Sequence, residues 1–158
     1  MNRGHSMGWQ SDPPAIIHPN VIFGSGQALT KKFASDRRIT HVINCAQDED
    51  SPSWFKEEYP ERYVCINAID SLNTDITLSY PLFEKTMLRF LMDKTSDVIY
   101  VHCQCGINRS GFLVLLYACL RFEFGLMNTV KSIIKQRPCA LLNPAFRIQV
   151  AEYIKKHR

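Results

Sequence analysis

The sequence predicts a single α/β domain, and three observations carry that reading. Strand signals alternate with helix signals along the chain, the pattern of a sheet covered by helices. The segment "SGFLVLLYACLRF" is apolar nearly all round, so as a helix it belongs in the middle of a core. At 158 residues the chain has the size of one domain and can bury about two thirds of the surface that its unfolded form exposes, so it folds without staples.

The elements follow in order. Residues 1–15 read as a loose arm, because the "DPP" run argues against regular structure, and the domain occupies residues 16–158. "NVIFGSG" is a short strand ending in glycines, and "QALTKKFAS" follows it with helical spacing. The charged "DRR" turn leads into "ITHVINCA", rich in the β-branched residues that strands favour. An irregular acidic stretch from Gln47 to Glu61 precedes a further strand, "RYVCINAI". In "LSYPLFEKTMLRFLMDK" the positions Leu82, Phe83, Met87, Phe90 and Leu91 line one helical face, and Pro81 is tolerable in the first turn. The strand "DVIYVHC" then enters a tight loop, and the apolar helix leaves it. A helix over "MNTVKSIIKQR" stops at Pro138. The last helix, "NPAFRIQVAEYIKKHR", starts from Asn143 as N-cap with Pro144 at its first position.

Composition bounds the function. With 46% apolar and 22% charged residues the chain reads as globular rather than disordered. Its longest apolar stretch, "FLVLLYACL", is too short to span a bilayer and is followed by Arg121, so no membrane segment is expected. The start lacks a continuous apolar core behind Arg3 and does not read as a secretory signal. The six cysteines sit mostly in apolar segments, so free thiols in a reducing compartment, cytoplasmic or nuclear, are expected over a disulfide framework. The formal charge of +4 is mild, and its densest runs, "KKFASDRR" and "KKHR", read as solvated surface rather than as a nucleic-acid footprint.

The stretch "YVHCQCGINRSG" carries the chemistry. Cys103 ends a buried strand, a tight loop with Gly106 follows, and a helix starts near Ser110. Successive amides from Gln104 to Arg109 (through Cys105, Gly106, Ile107 and Asn108) can point at one centre, where the positive end of the helix adds its field, so the loop favours a dianion. The planar fork of Arg109 can hold two phosphate oxygens at once. A thiol at a helix N-terminus beside an arginine is held as the thiolate, so Cys103 is expected to be a standing nucleophile. His102 is expected to orient the loop through its ring nitrogens, Ser110 to donate to the sulfur, and Gly106 to supply backbone freedom.

His102, Cys103, five residues and Arg109, then Ser110 and Gly111, match the H-C-x5-R signature of cysteine-dependent protein tyrosine phosphatases. "IFGSGQAL", "ITHVINCA", "INAIDSLNTDI" and "LLNPAFRIQVAEYI" are similar to segments of the small, atypical dual-specificity phosphatases, so that the resemblance covers residues 18–157. "DSLNTDI" and "GINRSG" particularly resemble the poxvirus-type members, which makes a viral source, and a host-cytoplasmic or virion location, one expectation. The resemblance implies a protein tyrosine phosphatase-like fold: a central, mostly parallel sheet flanked by helices, with the phosphate-binding loop between a strand and a helix. It implies a phosphocysteine intermediate on Cys103, phosphoryl oxygens held by Arg109, Asp70 as general acid and then base, and Ser110 assisting thiophosphate breakdown. No metal or cofactor is called for. Asp75 is the rival acid, but its place before a helix suits a cap. Asn143 reads equally well as a tie between loops and as a helix cap. Cys45 reads either as a buried core thiol or as a redox partner that protects Cys103.

The implied activity is hydrolysis of phosphotyrosine, phosphoserine and phosphothreonine in proteins. The chain has room only for the minimal core, so a shallow cleft is expected. The alternatives are an RNA 5′-triphosphatase of the same superfamily and a phosphoprotein-binding module with little turnover. A loop without a second cation weakens the RNA reading and, more strongly, a phosphoinositide reading. A zinc site on His102, Cys103 and Cys105 lacks ligand spacing, and a Cys103–Cys105 disulfide would strain so short a loop. Trp54 and Phe55 read as a satellite core, Cys65, Cys119 and Cys139 as core residues, and His18, His41 and His157 show no recognisable partners. Oligomeric state stays open between monomer and a homodimer formed through the arm.

Overall fold

The computed structural model describes residues 8–158. Its centre is a five-stranded sheet of β1 (Ala15–His18), β2 (Val21–Ser25), β3 (Ile39–Asn44), β4 (Tyr63–Cys65) and β5 (Val98–Cys103) in the order β1-β2-β5-β3-β4. Only β1 runs antiparallel, against β2; the other pairs are parallel. Every residue of β2 and β5 is buried, which is why they read as continuous apolar runs rather than as alternating ones.

The helices are α1 (Gly8–Ser11), α2 (Lys31–Asp36), α3 (Ser53–Glu58), α4 (Tyr80–Met92), α5 (Arg109–Leu120), α6 (Leu126–Gln136) and α7 (Pro144–His157). They cover both faces, and strand alternation assigns side chains to each. Val21, Phe23, Ile99, Val101 and Cys103 join the main core with α4, α5 and α7, while Ile22, Val42, Val98 and Tyr100 join a smaller one with Leu29 and Phe55. Helix α5 is buried from Ser110 to Cys119, as its all-round apolar sequence demands.

Three expectations need correction. The stretch from Gln47 to Glu61 is not irregular: it holds α3, whose Phe55 is buried and whose Trp54 indole donates to the Leu29 carbonyl at 3.0 Å, the satellite core expected of that pair. The arm expected to lack regular structure over residues 1–15 carries α1, and Asp12 and Pro13 bind Arg137 through their carbonyls; residues 1–7 lie outside the described residues. On α4 (which follows a short 3₁₀ turn over Ile76–Ser79) the buried face is Tyr80, Phe83, Thr86, Met87 and Phe90, with Leu82 left exposed, because consecutive helical residues diverge by about 100° and Leu82 falls off the stripe that Phe83 shares with Met87 and Phe90. Among the described residues no helix is long and apolar enough to cross a membrane.

Candidate active site

The register of the sheet assembles the site. Ser25 pairs with Cys103 and Asn44 with His102, so the carboxyl ends of β2, β5 and β3 lie side by side, the place where open α/β sheets put their ligands. Alternation on β5 sends successive side chains to opposite faces. Cys103 faces α5, its Sγ 3.2 Å from Ser110 Oγ, and His102 faces the smaller core, where Nε2 lies 2.9 Å from Ser51 Oγ. The other ring nitrogen, Nδ1, lies 2.9 Å from the Cys103 carbonyl. A carbonyl only accepts, so Nδ1 carries the proton and Nε2 accepts from the serine. Burial pulls the His102 pKa down to about 4, against the pull of its Cys103 bond and of Asp50, so the ring is a neutral strut.

The loop from Gln104 to Asn108 is held from outside. Gly26 N donates to the Cys103 carbonyl at 3.0 Å and to that of Gln104 at 3.4 Å. Arg137 donates to Cys105 at 2.7 Å and to Gly106 at 2.8 Å, Leu141 N to Ile107 at 2.8 Å, and Phe112 N to Asn108 at 2.9 Å. In a trans peptide the N–H points opposite to the C=O, and no described peptide is cis. With all six carbonyls drawn away, the amides of Gln104 to Arg109 turn the other way, into one concavity. Gly106 has φ +69°, and a Cβ there would stand 2.3 Å from the Gly24 carbonyl carbon, so both the conformation and the packing demand glycine.

Arg109 opens α5 and reaches across the cleft, its Nη1 donating to the Ala68 carbonyl at 3.1 Å. Its Nε is the one buried side-chain nitrogen or oxygen among the described residues without a hydrogen-bond partner. Such a group is costly unless something accepts from it. The loop after β4 supplies the opposite wall. Ile66, Asn67 and Ala68 donate to the backbone of Asn44, Ala46 and Cys45, and this brings Asp70 over the concavity. Its Oδ2 accepts from Asn108 Nδ2 at 2.8 Å and its Oδ1 from Asn143 Nδ2 at 2.9 Å. The resulting cleft of about 360 Å3 is lined by Gln47, Ile69, Asp70, Cys103 and the loop through Arg109.

A sequence profile of the dual specificity phosphatase catalytic domain matches residues 21–156. The chain belongs to that family. Among curated relatives, human protein phosphatase Slingshot homolog 3 is 29% identical over 91% of this chain, which spans 21% of that protein. Human dual specificity protein phosphatase 22 is 28% identical over 88% of this chain and 72% of its own length. The crystal structure of human DUSP28 superposes with a TM-score of 0.75 at 18% identity, covering 91% of this chain and 94% of that one, a likeness of fold.

The structure brings most of the expected residues of this dual specificity phosphatase domain into one place. Asp70, Cys103, Gln104, Cys105, Ile107, Asn108 and Arg109 line the cleft, Gly106 packs on the end of β2, Ser110 touches the sulfur, and His102 braces the loop from behind. Asn143 holds both of its alternative roles: Oδ1 caps α7 through Ala145 N and Phe146 N while Nδ2 ties Asp70 and the Ser71 carbonyl. Asp75 is engaged elsewhere, its Oδ1 accepting from Thr77 N at 3.1 Å and Thr77 Oγ1 at 2.6 Å as a cap. Cys45 is buried one residue beyond the β3–β5 pairing, where burial first and the neighbouring Cys103 second push its thiol up; all six cysteines are free. Cys65 and Cys139 are half-buried rather than core. Among the described residues no group of three or more His, Cys, Asp or Glu side chains could hold a metal.

Sequence reasoning missed Gln47, the tie made by Asn108 and, above all, Arg137, a fully buried guanidinium. No sequence signal joins Asn108 to Asp70, 38 residues away, whereas the signal for Arg137 was a cation at a helix end with no acidic neighbour in sequence.

Proposed function

We propose that this domain is a metal-independent phosphatase of phosphoproteins that works through a phosphocysteine. The observation that carries the reading is the unpartnered, buried Nε of Arg109 beside a ring of inward-turned amides and a sulfur at the bottom of the same cleft. A phosphoryl group bound there offers acceptors to the guanidinium and to the amides. Cys103 Sγ attacks phosphorus in line, and the Arg109 fork and loop amides hold the equatorial oxygens as charge redistributes over them. Asp70, held by Asn108 and Asn143 over the cleft, gives its proton to the leaving oxygen. In the second step Asp70 takes a proton from water, which displaces the sulfur, and the Ser110 hydroxyl stabilises the departing thiolate.

Substrate breadth follows from the walls. Exposed Ile69, Leu72 and Leu142 lie around Asp70, Ser71 and Asn143, and among the described residues that line the cleft no cation other than Arg109 stands ready to select a polyphosphorylated ligand. This favours phosphotyrosine, phosphoserine and phosphothreonine in proteins over triphosphorylated RNA or phosphoinositides. Cys103→Ser is expected to abolish hydrolysis of an aryl phosphate while tungstate still binds; retained turnover would refute the nucleophile. Asp70→Asn is expected to slow alkyl or poor-leaving-group esters far more than activated aryl esters, and an equal loss on both would remove Asp70 from its role. Phosphate release from phosphopeptides, triphosphorylated RNA and phosphoinositides, assayed side by side, tests the substrate class.

A further inference from the structure

The side chain of Arg137 lies behind the phosphate-binding loop, 1% exposed at the C-terminal end of α6. Its Nε donates to Gly106 O at 2.8 Å and its Nη2 to Cys105 O at 2.7 Å and Trp9 O at 2.9 Å, while Nη1 donates to Asp12 O at 2.6 Å and Pro13 O at 3.3 Å. All five acceptors are backbone carbonyls, and no carboxylate stands among them. Burying a full positive charge on neutral dipoles is costly. Ordinary packing at a helix end would be met by an apolar side chain, so the arrangement asks for another reason.

We infer that Arg137 is a positioning residue for catalysis, clamping the phosphate-binding loop to the N-terminal segment over residues 9–13. The reason is peptide geometry. Drawing the Cys105 and Gly106 carbonyls back onto one rigid fork turns the next two amides, those of Gly106 and Ile107, forward toward the phosphoryl site. A guanidinium suits the task because it is planar and carries five N–H donors, whereas an ammonium has three donors on a flexible stem. The loop's preorganisation is therefore tied to residues far away in sequence. The arm is fastened twice, since Asp12 Oδ2 also accepts from Cys139 N at 2.9 Å, two residues beyond Arg137. Oxyanion binding at the amides and order over residues 9–13 are then linked, each tightening the other.

The inference rests on the phosphatase reading, and the experiment separates the two. Wild type, Arg137→Met and Arg137→Lys are compared for aryl phosphate hydrolysis and for inhibition by orthovanadate, well below each protein's melting midpoint and with folding checked by near-UV circular dichroism. In folded Arg137→Met the vanadate inhibition constant is expected to rise at least tenfold and kcat/KM to fall in parallel. Arg137→Lys keeps the charge but not the fork, and is expected to recover only a small part of either. A structural role alone would lower the melting midpoint and leave the folded fraction with wild-type vanadate affinity and turnover, and that result would overturn the clamp. Should neither variant fold, unaltered protein decides: vanadate is expected to slow hydrogen exchange at the Asp12 and Cys139 amides, outside the cleft, and unchanged exchange there would overturn the inference. Wild-type protein that neither hydrolyses the ester nor binds vanadate would instead overturn the phosphatase reading, and the clamp's catalytic part with it.

Discussion

Asn108 shows how much one side chain in the loop accomplishes. Its Oδ1 accepts from Leu142 N and Asn143 N, both at 2.8 Å, and its Nδ2 donates to Asp70. One amide thus fixes the turn before α7 and the carboxyl opposite the sulfur. Asn108→Asp keeps the acceptor for both backbone amides and replaces the donor with an oxygen that repels Asp70. Melting is expected to change little, while turnover of poor-leaving-group esters falls by tenfold or more and activated esters lose much less. Equal losses on both classes, or none, would break the link between Asn108 and the acid, and a leaving-group series measures it. Cys103 and Arg109 were legible as candidates in sequence because the chemistry proposed for them depends on a local strand, loop and helix. Asp70 was legible only through family resemblance, and its attachment to Asn108 and Asn143, 38 and 73 residues away, was not. Nothing in a string of residues says which distant amide will meet a carboxyl.

At the scale of elements, the central strands and the buried helix α5 were readable because burial on all sides leaves an uninterrupted apolar record. Strand β1 was not, since its four residues sit between prolines and mix buried Ala15 with exposed Ile16. It is held at the sheet edge by a side chain from α6. Gln136 Oε1 accepts from Ile16 N at 2.8 Å and its Nε2 donates to Ile16 O at 2.9 Å, the two bonds a neighbouring strand would have made. An unpaired edge is a template for association, and this amide closes part of it. Gln136→Ala returns both Ile16 groups to water, so a loss of about 1 kcal/mol in urea unfolding is expected. Hydrogen exchange at Ile16 should quicken while that at β5 stays unchanged. Unaltered exchange at Ile16 would show that β1 is held by its pairing with β2 alone.

For the whole molecule, the sheet buries two histidines, and both weaken the fold in acid. His102 lies against Ser51, the Cys103 carbonyl and the Tyr100 ring, and feels the opposed charges of Asp50 and Lys56; burial, the largest influence, takes it to about 4. His41 is lowered too, by burial first and by the repulsion of Arg62 and Arg89, against the pull of a 3.0 Å bond to Asp93. Near pH 7 the His41–Asp93 contact is therefore a neutral imidazole N–H donating to an ionised carboxylate, not an ion pair. The sign follows from linkage. An unfolded histidine takes its proton near pH 6.5 while buried His102 refuses it until about 4, so the unfolded state binds more protons in between, and stability falls as pH drops through that window. The shift corresponds to a loss of about 3 kcal/mol from His102, with the full stability present above pH 6.5. Asp48 and Asp93, both held low by hydrogen bonds, also weaken the fold in acid, but in the same way whether or not His102 is present. Comparing wild type with His102→Asn therefore isolates the ring. Asn should lower stability at pH 7, because it cannot span both the Cys103 carbonyl and Ser51, and should flatten the decline between pH 6.5 and 4. Urea unfolding at half-unit pH steps measures both slopes. If the two proteins decline in parallel, His102 titrates as an exposed imidazole, and the neutral strut behind the phosphate-binding loop does not exist.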